Sequence, residues 1–323
     1  MNKCQDAFHW GKTILTIFKT QAASPFFLLL LLALSACTPQ PAPTPQPTRR
    51  PSEEGRHTAY LPTWLIRSGC TFAPGKSLAW NREADYPQAA RQVCADGGAP
   101  YLNWDTKPRT NSFLEHTPML WGGRTDDFYR DIPPDFSGLV AGPNEPDRID
   151  QSGRYFCPAG NCGPAPGLVA AVMREVELQR PGIRWIAPSW SNAQSDCRKQ
   201  AEWWHEYIRQ GGKASRVKAW GYHIYPDWRG MSAAEKVKEC YQTLEAAGIP
   251  YRPMWVTEIG QTVCNEAGAA ELRAWVEQLM ADDRVSVIMG YAPFAGEQWC
   301  PFFDESFRLT AVGRAFREAG IGQ

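Results

Sequence analysis

The sequence predicts an α/β fold, a single-domain (β/α)8 TIM barrel over residues 59–323. Three observations lead there. Eight short apolar segments alternate with helical ones, the pattern of parallel β-α units. The stretch holds 265 residues, 323 less the first 58, which suits one barrel of typical size. No G-x-G-x-x-G or G-x-x-x-x-G-K run opens a helix after the first strand, which turns the reading away from an open nucleotide-binding sheet.

The strand candidates, in order, are Leu61–Ile66, Pro100–Trp104, Pro118–Trp121, Gly138–Gly142, Ile183–Ala187, Val217–Tyr222, Pro253–Thr257 and Val285–Tyr291. Helices are predicted at Tyr86–Ala95, Asp126–Arg130, Gly167–Gln179, Lys199–Gln210, Ala233–Ala247, Ala267–Ala281 and Ala311–Ala319. Pro181-Gly182, Gly211-Gly212 and Gly248 follow three of them as stop signals. Within Lys199–Gln210, Trp203 and Trp204 read as core and rim.

Residues 1–36 read as a lipoprotein signal peptide. Lys3, Lys12 and Lys19 face only Asp6, and an apolar run of leucines follows Pro25. That run is too short for a helix to cross a bilayer core of ~30 Å. It ends in Leu34-Ser35-Ala36-Cys37, similar to the bacterial lipobox, in which the Cys is acylated. Residues 37–58 form a Pro-rich tether, with Pro39, Pro41, Pro43, Pro45 and Pro47 alternating. Such a segment favours polyproline II, a semi-rigid spacer of ~3.1 Å per residue. The chain is therefore expected outside the cytoplasm, anchored through lipid on Cys37 to the bacterial cell membrane or outer membrane.

Composition narrows the function classes. The 34 basic and 34 acidic side chains cancel, where a nucleic-acid binder carries a basic excess. A hydrophobic fraction of 43% excludes a disordered chain. The 14 Trp, 11 Tyr and 14 Phe suggest stacking surfaces. Of ten Cys, Cys4 leaves with the leader and Cys37 carries lipid, so eight remain for disulfides in an oxidising compartment. Cys157 and Cys162 could close a small loop, Cys264 and Cys300 could join neighbouring loops, and Cys70 could pair with Cys94; the eight allow 105 pairings. No paired C-x-x-C and no H-E-x-x-H marks a metal site.

In such barrels the chemistry gathers at the C-terminal ends of the strands. Unusual polar residues do collect there: Asn103-Trp104, Trp121, Asn144-Glu145, His223-Ile224-Tyr225, Thr257-Glu258 and Trp299. Glu145 and Glu258 each end an apolar strand, where a carboxylate is costly to bury without a role. They belong to the fourth and seventh predicted strands, across the barrel mouth from each other. Glycoside hydrolysis needs two carboxyls flanking the scissile bond, one protonated and one ionised. Proximity of like charges supplies that division. Trp104, Trp121 and Trp299 suit the apolar faces of sugar rings.

The ordered set Asn103-Trp104, Pro118-Met119-Leu120-Trp121-Gly122, Asn144-Glu145-Pro146-Asp147, His223-Ile224-Tyr225 and Trp255-Val256-Thr257-Glu258 resembles the retaining glycosidases of clan A. More closely it resembles glycoside hydrolase family 128, the group of the fungal alkali-sensitive linkage protein. Phe303-Asp304 and the later Leu309-Thr310-Ala311-Val312-Gly313 add to the similarity, which spans residues 61–318. The resemblance implies a (β/α)8 barrel, a retaining mechanism, and no metal or organic cofactor. It implies Glu145 as general acid/base, Glu258 as nucleophile, and Asn144 on the sugar 2-hydroxyl, with His223 and Tyr225 orienting the nucleophile. Asn103, Trp104, Trp121 and Trp299 complete the expected substrate contacts. The implied substrate is a polysaccharide or oligosaccharide, β-1,3-glucan first, cut internally by a monomer. Ile224, Pro143 and an inserted Asp150–Gly167 segment depart from the family pattern. A non-catalytic glycan-binding lipoprotein and a cell-envelope transglycosylase are the alternatives.

Overall fold

Parallel strands linked by crossover helices make up the described part of the chain from residue 139 onward. The computed structural model describes residues 76–79, 101–102, 116–121, 125–148, 166–191, 197–226, 230–291 and 299–320. The strands are β1 Lys76–Ala79, β2 Tyr101–Leu102, β3 Leu139–Ala141, β4 Arg184–Ile186, β5 Val217–Ile224, β6 Met254–Ile259 and β7 Val285–Tyr291. The helices are α1 Thr125–Asp131, α2 Pro166–Gln179, α3 Arg198–Arg209, α4 Ala233–Ala246, α5 Glu266–Met280 and α6 Ala311–Glu318.

The sheet order is β2-β1-β7-β6-β5-β4-β3, with every pair parallel. The first and last described strands are neighbours, the topology of a sheet that curls back on itself. Met119 adds a parallel bridge to Ala141 beyond β3, so the predicted strand Pro118–Trp121 is reduced to one bridge. Residues 103–115, between β2 and that bridge, lie outside the description.

Leu61–Ile66 and Tyr86–Ala95 also lie outside the described residues. The strand beside β2 and β7 is Lys76–Ala79, which the sequence reading does not include. Its four residues carry Lys and Ser and make no apolar run. The other helices match their predicted spans within about a residue at each end, and their caps explain why. Ser232 and Glu235 form a reciprocal capping box on α4. Asn265 accepts from the N–H groups of Ala267 and Gly268 on α5, and Thr310 from Gly313 on α6. Each such cap stabilises by ~1 kcal/mol.

Alternation along the strands sorts side chains into two layers. Met119, Ala141, Ile186, Ala219, Trp255, Val287 and Met289 form an inner cluster inside the curve of the sheet. Val140, Trp185, Trp220, Tyr222, Val256 and Ile288 face outward, against Val169, Met173, Trp203, Val237, Leu272 and Phe316 of the helices. Strands buried on both faces need apolar residues at nearly every position, which is why they read as continuous runs. Trp203 stacks on Tyr207 and Trp204 meets Trp220 edge-on, so both tryptophans pack as expected.

Two disulfides are described. Cys197–Cys240 ties the start of α3 to α4, a pairing the spacing left open. Cys264–Cys300 joins the segments that follow β6 and β7, as anticipated. Cys70, Cys94, Cys157 and Cys162 lie outside the described residues, as does Cys37.

Candidate active site

β5 runs to Ile224 and β6 to Ile259, two residues past their predicted ends. His223 and Glu258 therefore sit on strands rather than after them. On β6, Trp255 faces the interior and Val256 the helices. Strict alternation would send Thr257 inward and Glu258 outward. The register against β5 instead jumps from Tyr222↔Val256 to His223↔Glu258, leaving Thr257 as an extra residue. This bulge lets Thr257 and Glu258 both face inward while Ile259 returns to the outer layer. Thr257 Oγ1 donates to the Tyr222 carbonyl at 3.3 Å, and Ser189 Oγ lies 2.7 Å from it.

Glu145 arrives differently. After β3 the chain turns through Gly142-Pro143-Asn144, where a Cβ on Gly142 would lie 2.8 Å from the Pro188 nitrogen. Only glycine permits that approach of the β3 and β4 ends. Glu145 itself has φ +41°, a left-handed backbone that costs an L-residue ~1–2 kcal/mol. Its N–H donates to the Ser189 carbonyl at 2.7 Å, and its carbonyl accepts from the Arg148 N–H at 2.9 Å. Asp147 pins the turn from below. It accepts from Ser191 N–H and Oγ at 2.8 Å each and from Lys199 Nζ at 2.6 Å. Burial alone would raise the Asp147 pKa; Lys199 and Ser191 outweigh it and hold the carboxyl below its ordinary value. Strain at a residue clamped this way is what functional positions show.

The two carboxylates meet at one ring. His223 is fully buried, with Nδ1 3.3 Å from Glu145 Oε1 and Nε2 3.6 Å from Glu258 Oε1. Burial favours the neutral imidazole, but Glu258, then Glu145, outweigh it and raise its pKa above the usual value. Tyr225 donates its hydroxyl to Glu258 Oε2 at 2.6 Å. Burial and then the Glu258 charge push that phenol well above its ordinary range, so it stays protonated and keeps donating. Arg148 Nε lies 3.4 Å from Glu145 Oε2 at the solvent side. Asn144 is buried beside Glu145 and bridges to Ser189.

The expected aromatics divide. Trp121 is half-buried and packs against the inner cluster. Trp299 is half-buried and stacks on Tyr225, ring centroids 4.3 Å apart. Asn103 and Trp104 lie outside the described residues. The sequence singles out neither Lys236 nor Lys199, and Asp147 only as part of its motif. Lys236 is 1% exposed and donates to the Tyr225 carbonyl at 3.0 Å. A Lys within α4 carries no sequence signal for burial. Among the described residues, no three His, Cys, Asp or Glu side chains group as a metal site.

Two buried carboxylates held against one imidazole can supply the acid and the base or nucleophile that glycoside cleavage needs. The family model described as glycosyl hydrolase catalytic core matches residues 78–316. The chain belongs to that family. This glycosyl hydrolase also shares its fold with solved family 128 enzymes. An endo-β-1,3-glucanase (subgroup II) from Sorangium cellulosum is 18% identical, with TM-score 0.55 over 77% of this chain and 100% of that one. A subgroup I endo-β-1,3-glucanase from Amycolatopsis mediterranei, in complex with laminaripentaose, is 15% identical, with TM-score 0.58 over 76% and 99%. A curdlan-specific exo-β-1,3-glucanase (subgroup III) from Blastomyces gilchristii is 18% identical, with TM-score 0.54 over 77% and 99%. No curated protein matches the glycosyl hydrolase by sequence. The glycosidase reading of its motifs is thus met by the family model, and the resemblance to family 128 by the shared fold.

Proposed function

We propose that this glycoside hydrolase is a retaining, endo-acting β-1,3-glucanase working by double displacement. The observation that carries the reading is that Glu145 and Glu258, on different strand ends, contact opposite nitrogens of one buried imidazole. Retaining enzymes hold their carboxyls ~5–5.5 Å apart and inverting ones ~6.5–9.5 Å; the double displacement rests on the motif resemblance, and product stereochemistry tests it. Glu258 attacks the anomeric carbon while Glu145 gives its proton to the leaving oxygen. Glu145 then takes a proton from water, which breaks the ester to Glu258 and releases the sugar. Tyr225 holds Glu258 in the attacking pose and stabilises the carboxylate as it leaves. Asn144 meets the sugar 2-hydroxyl, and Trp121, half-buried beside the inner cluster, offers its ring to the sugar.

The barrel closes as (β/α)8, with the segment at Met119 as the missing neighbour of β2. β-1,3-Glucan is supported by the fold shared with glucanases, one in complex with laminaripentaose, and by the zero net charge of the chain. Cys37 carries lipid and residues 37–58 hold the enzyme, a monomer, off the membrane.

The test incubates the purified protein with β-1,3-, β-1,4- and mixed-linkage glucans and measures released reducing ends. Wild type should cut β-1,3-glucan, and Glu145→Ala and Glu258→Ala should not. Equal traces from all three defeat the enzyme reading in favour of a glycan binder. Products longer than the substrate favour a transglycosylase. For the tether, Cys37→Ala should move the protein from the membrane to the soluble fraction.

A further inference from the structure

Trp299 reads from sequence as a sugar platform, but one face of its ring is spent on Tyr225. The two rings stack with centroids 4.3 Å apart and planes 30° from parallel. Tyr225 is confined on other sides as well. Tyr291 and His223 meet it edge-on at 6.3 and 6.2 Å, and a Cβ on Gly260 would lie 2.7 Å from its Cε1. A phenol so enclosed has one pose, and that pose aims its hydroxyl at Glu258.

What fixes Trp299 is its neighbour Cys300, which is held twice. It is disulfide-bonded to Cys264, and its N–H donates to the Gln261 carbonyl at 2.7 Å. Gln261 is itself clamped. Its amide donates to Glu271 on α5, and its side-chain oxygen accepts from the N–H groups of Thr262 and Val263. Gln261 and Cys264 both lie in the segment that directly follows the Glu258 strand. The path therefore returns on itself: the end of β6 fixes Cys300, Cys300 carries Trp299, Trp299 backs Tyr225, and Tyr225 holds Glu258. The Cys197–Cys240 disulfide reaches the site by a different route: Cys240 shares α4 with Lys236, which donates to the Tyr225 carbonyl at 3.0 Å, and Cys197 precedes Lys199, which holds Asp147.

We propose that Trp299 is a positioning residue for the nucleophile, acting through Tyr225, and that the Cys264–Cys300 disulfide is required for that action. The inference rests on the reading of Glu258 as nucleophile. It makes oxidation at this one cysteine pair a condition of full turnover, apart from any contribution to stability.

The test is a double-mutant cycle on a β-1,3-gluco-oligosaccharide, run well below the melting point of every variant. Trp299→Leu should lower kcat about tenfold with little change in KM, and should cost far less in a Tyr225→Phe background, because groups acting through one contact are non-additive. Trp299→Phe, which can still stack, should restore most of kcat. Cys264→Ser with Cys300→Ser should lower kcat as Trp299→Leu does, and should add little when combined with Trp299→Leu, because both act through Tyr225. An equal factor for Trp299→Leu in both backgrounds, or a rise in KM alone, makes Trp299 a sugar contact and overturns the proposal. Wild-type kcat without the Cys264–Cys300 pair overturns it too. An inactive wild type defeats the glucanase reading first, and this inference with it.

Discussion

Replacing His223 by Gln removes a side chain that lies against both carboxylates, and the structure sets the size of the effect. The ring is fully buried, and Glu145 and Glu258 lie within ion-pair distance of its two nitrogens. Removing one partner of a buried pair costs ~3–5 kcal/mol. A domain of this size melts ~2–4 °C lower per kcal/mol, so the variant should melt about 6–20 °C below wild type. The pH dependence has a definite sign. Despite its burial, the ring's folded pKa is raised by Glu258 and Glu145 above its unfolded value of ~6.5. Its stabilisation is therefore fully present below that unfolded value and lost as pH rises through the folded one. Scanning calorimetry of both proteins from about pH 6 upward checks this. The gap in melting temperature should be widest at the acid end and narrow on the alkaline side. A gap that stays constant or widens with pH would refute the bridging cation.

Three further outcomes follow from the same contacts. Tyr225→Phe deletes a hydrogen bond to a buried carboxylate, worth ~1.5–3 kcal/mol, so kcat should fall roughly 10–150-fold with KM little changed; steady-state rates within twofold of wild type would contradict the assigned role. Asp147→Asn should destabilise the protein at neutral pH, and the difference should vanish as pH falls through the lowered Asp147 pKa, since a depressed carboxyl stabilises only above it. Urea midpoints across the acid range measure this. Gly221→Ala would place a Cβ 2.4 Å from the Ala187 carbonyl oxygen; the backbone shift should cost ~1–3 kcal/mol in a denaturation midpoint, as overpacking does.

How much of this was legible in the sequence depends on the kind of signal. Glu145 and Glu258 stand out because a carboxylate closing an apolar strand contradicts its surroundings. Helix ends are legible because Gly211, Gly248 and Pro181 stop helices for local reasons. β1 is not, since Lys76-Ser77-Leu78-Ala79 has neither an apolar run nor an alternating one, and its place is set by pairing with β7 and β2. Nor is the bulge at Thr257, a matter of register between β5 and β6; alternation alone would have turned Glu258 away from the site. The Cys197–Cys240 pair and the burial of Lys236 depend on how α3 and α4 pack, which no spacing within either helix reports. Trp299 shows the limit from the other side. Its residue type and position suggest sugar stacking, while its partner in the structure is Tyr225.

The central claim is that Glu145 and Glu258 cleave a β-1,3-glucan with retention. Proton NMR of the anomeric signals during the first minutes of hydrolysis tests it most directly. The account predicts that the β-anomer of the newly formed reducing end appears first and mutarotates later, with no signal from Glu258→Ala. An α-anomer as first product would make the reaction inverting and contradict the roles given to both carboxylates.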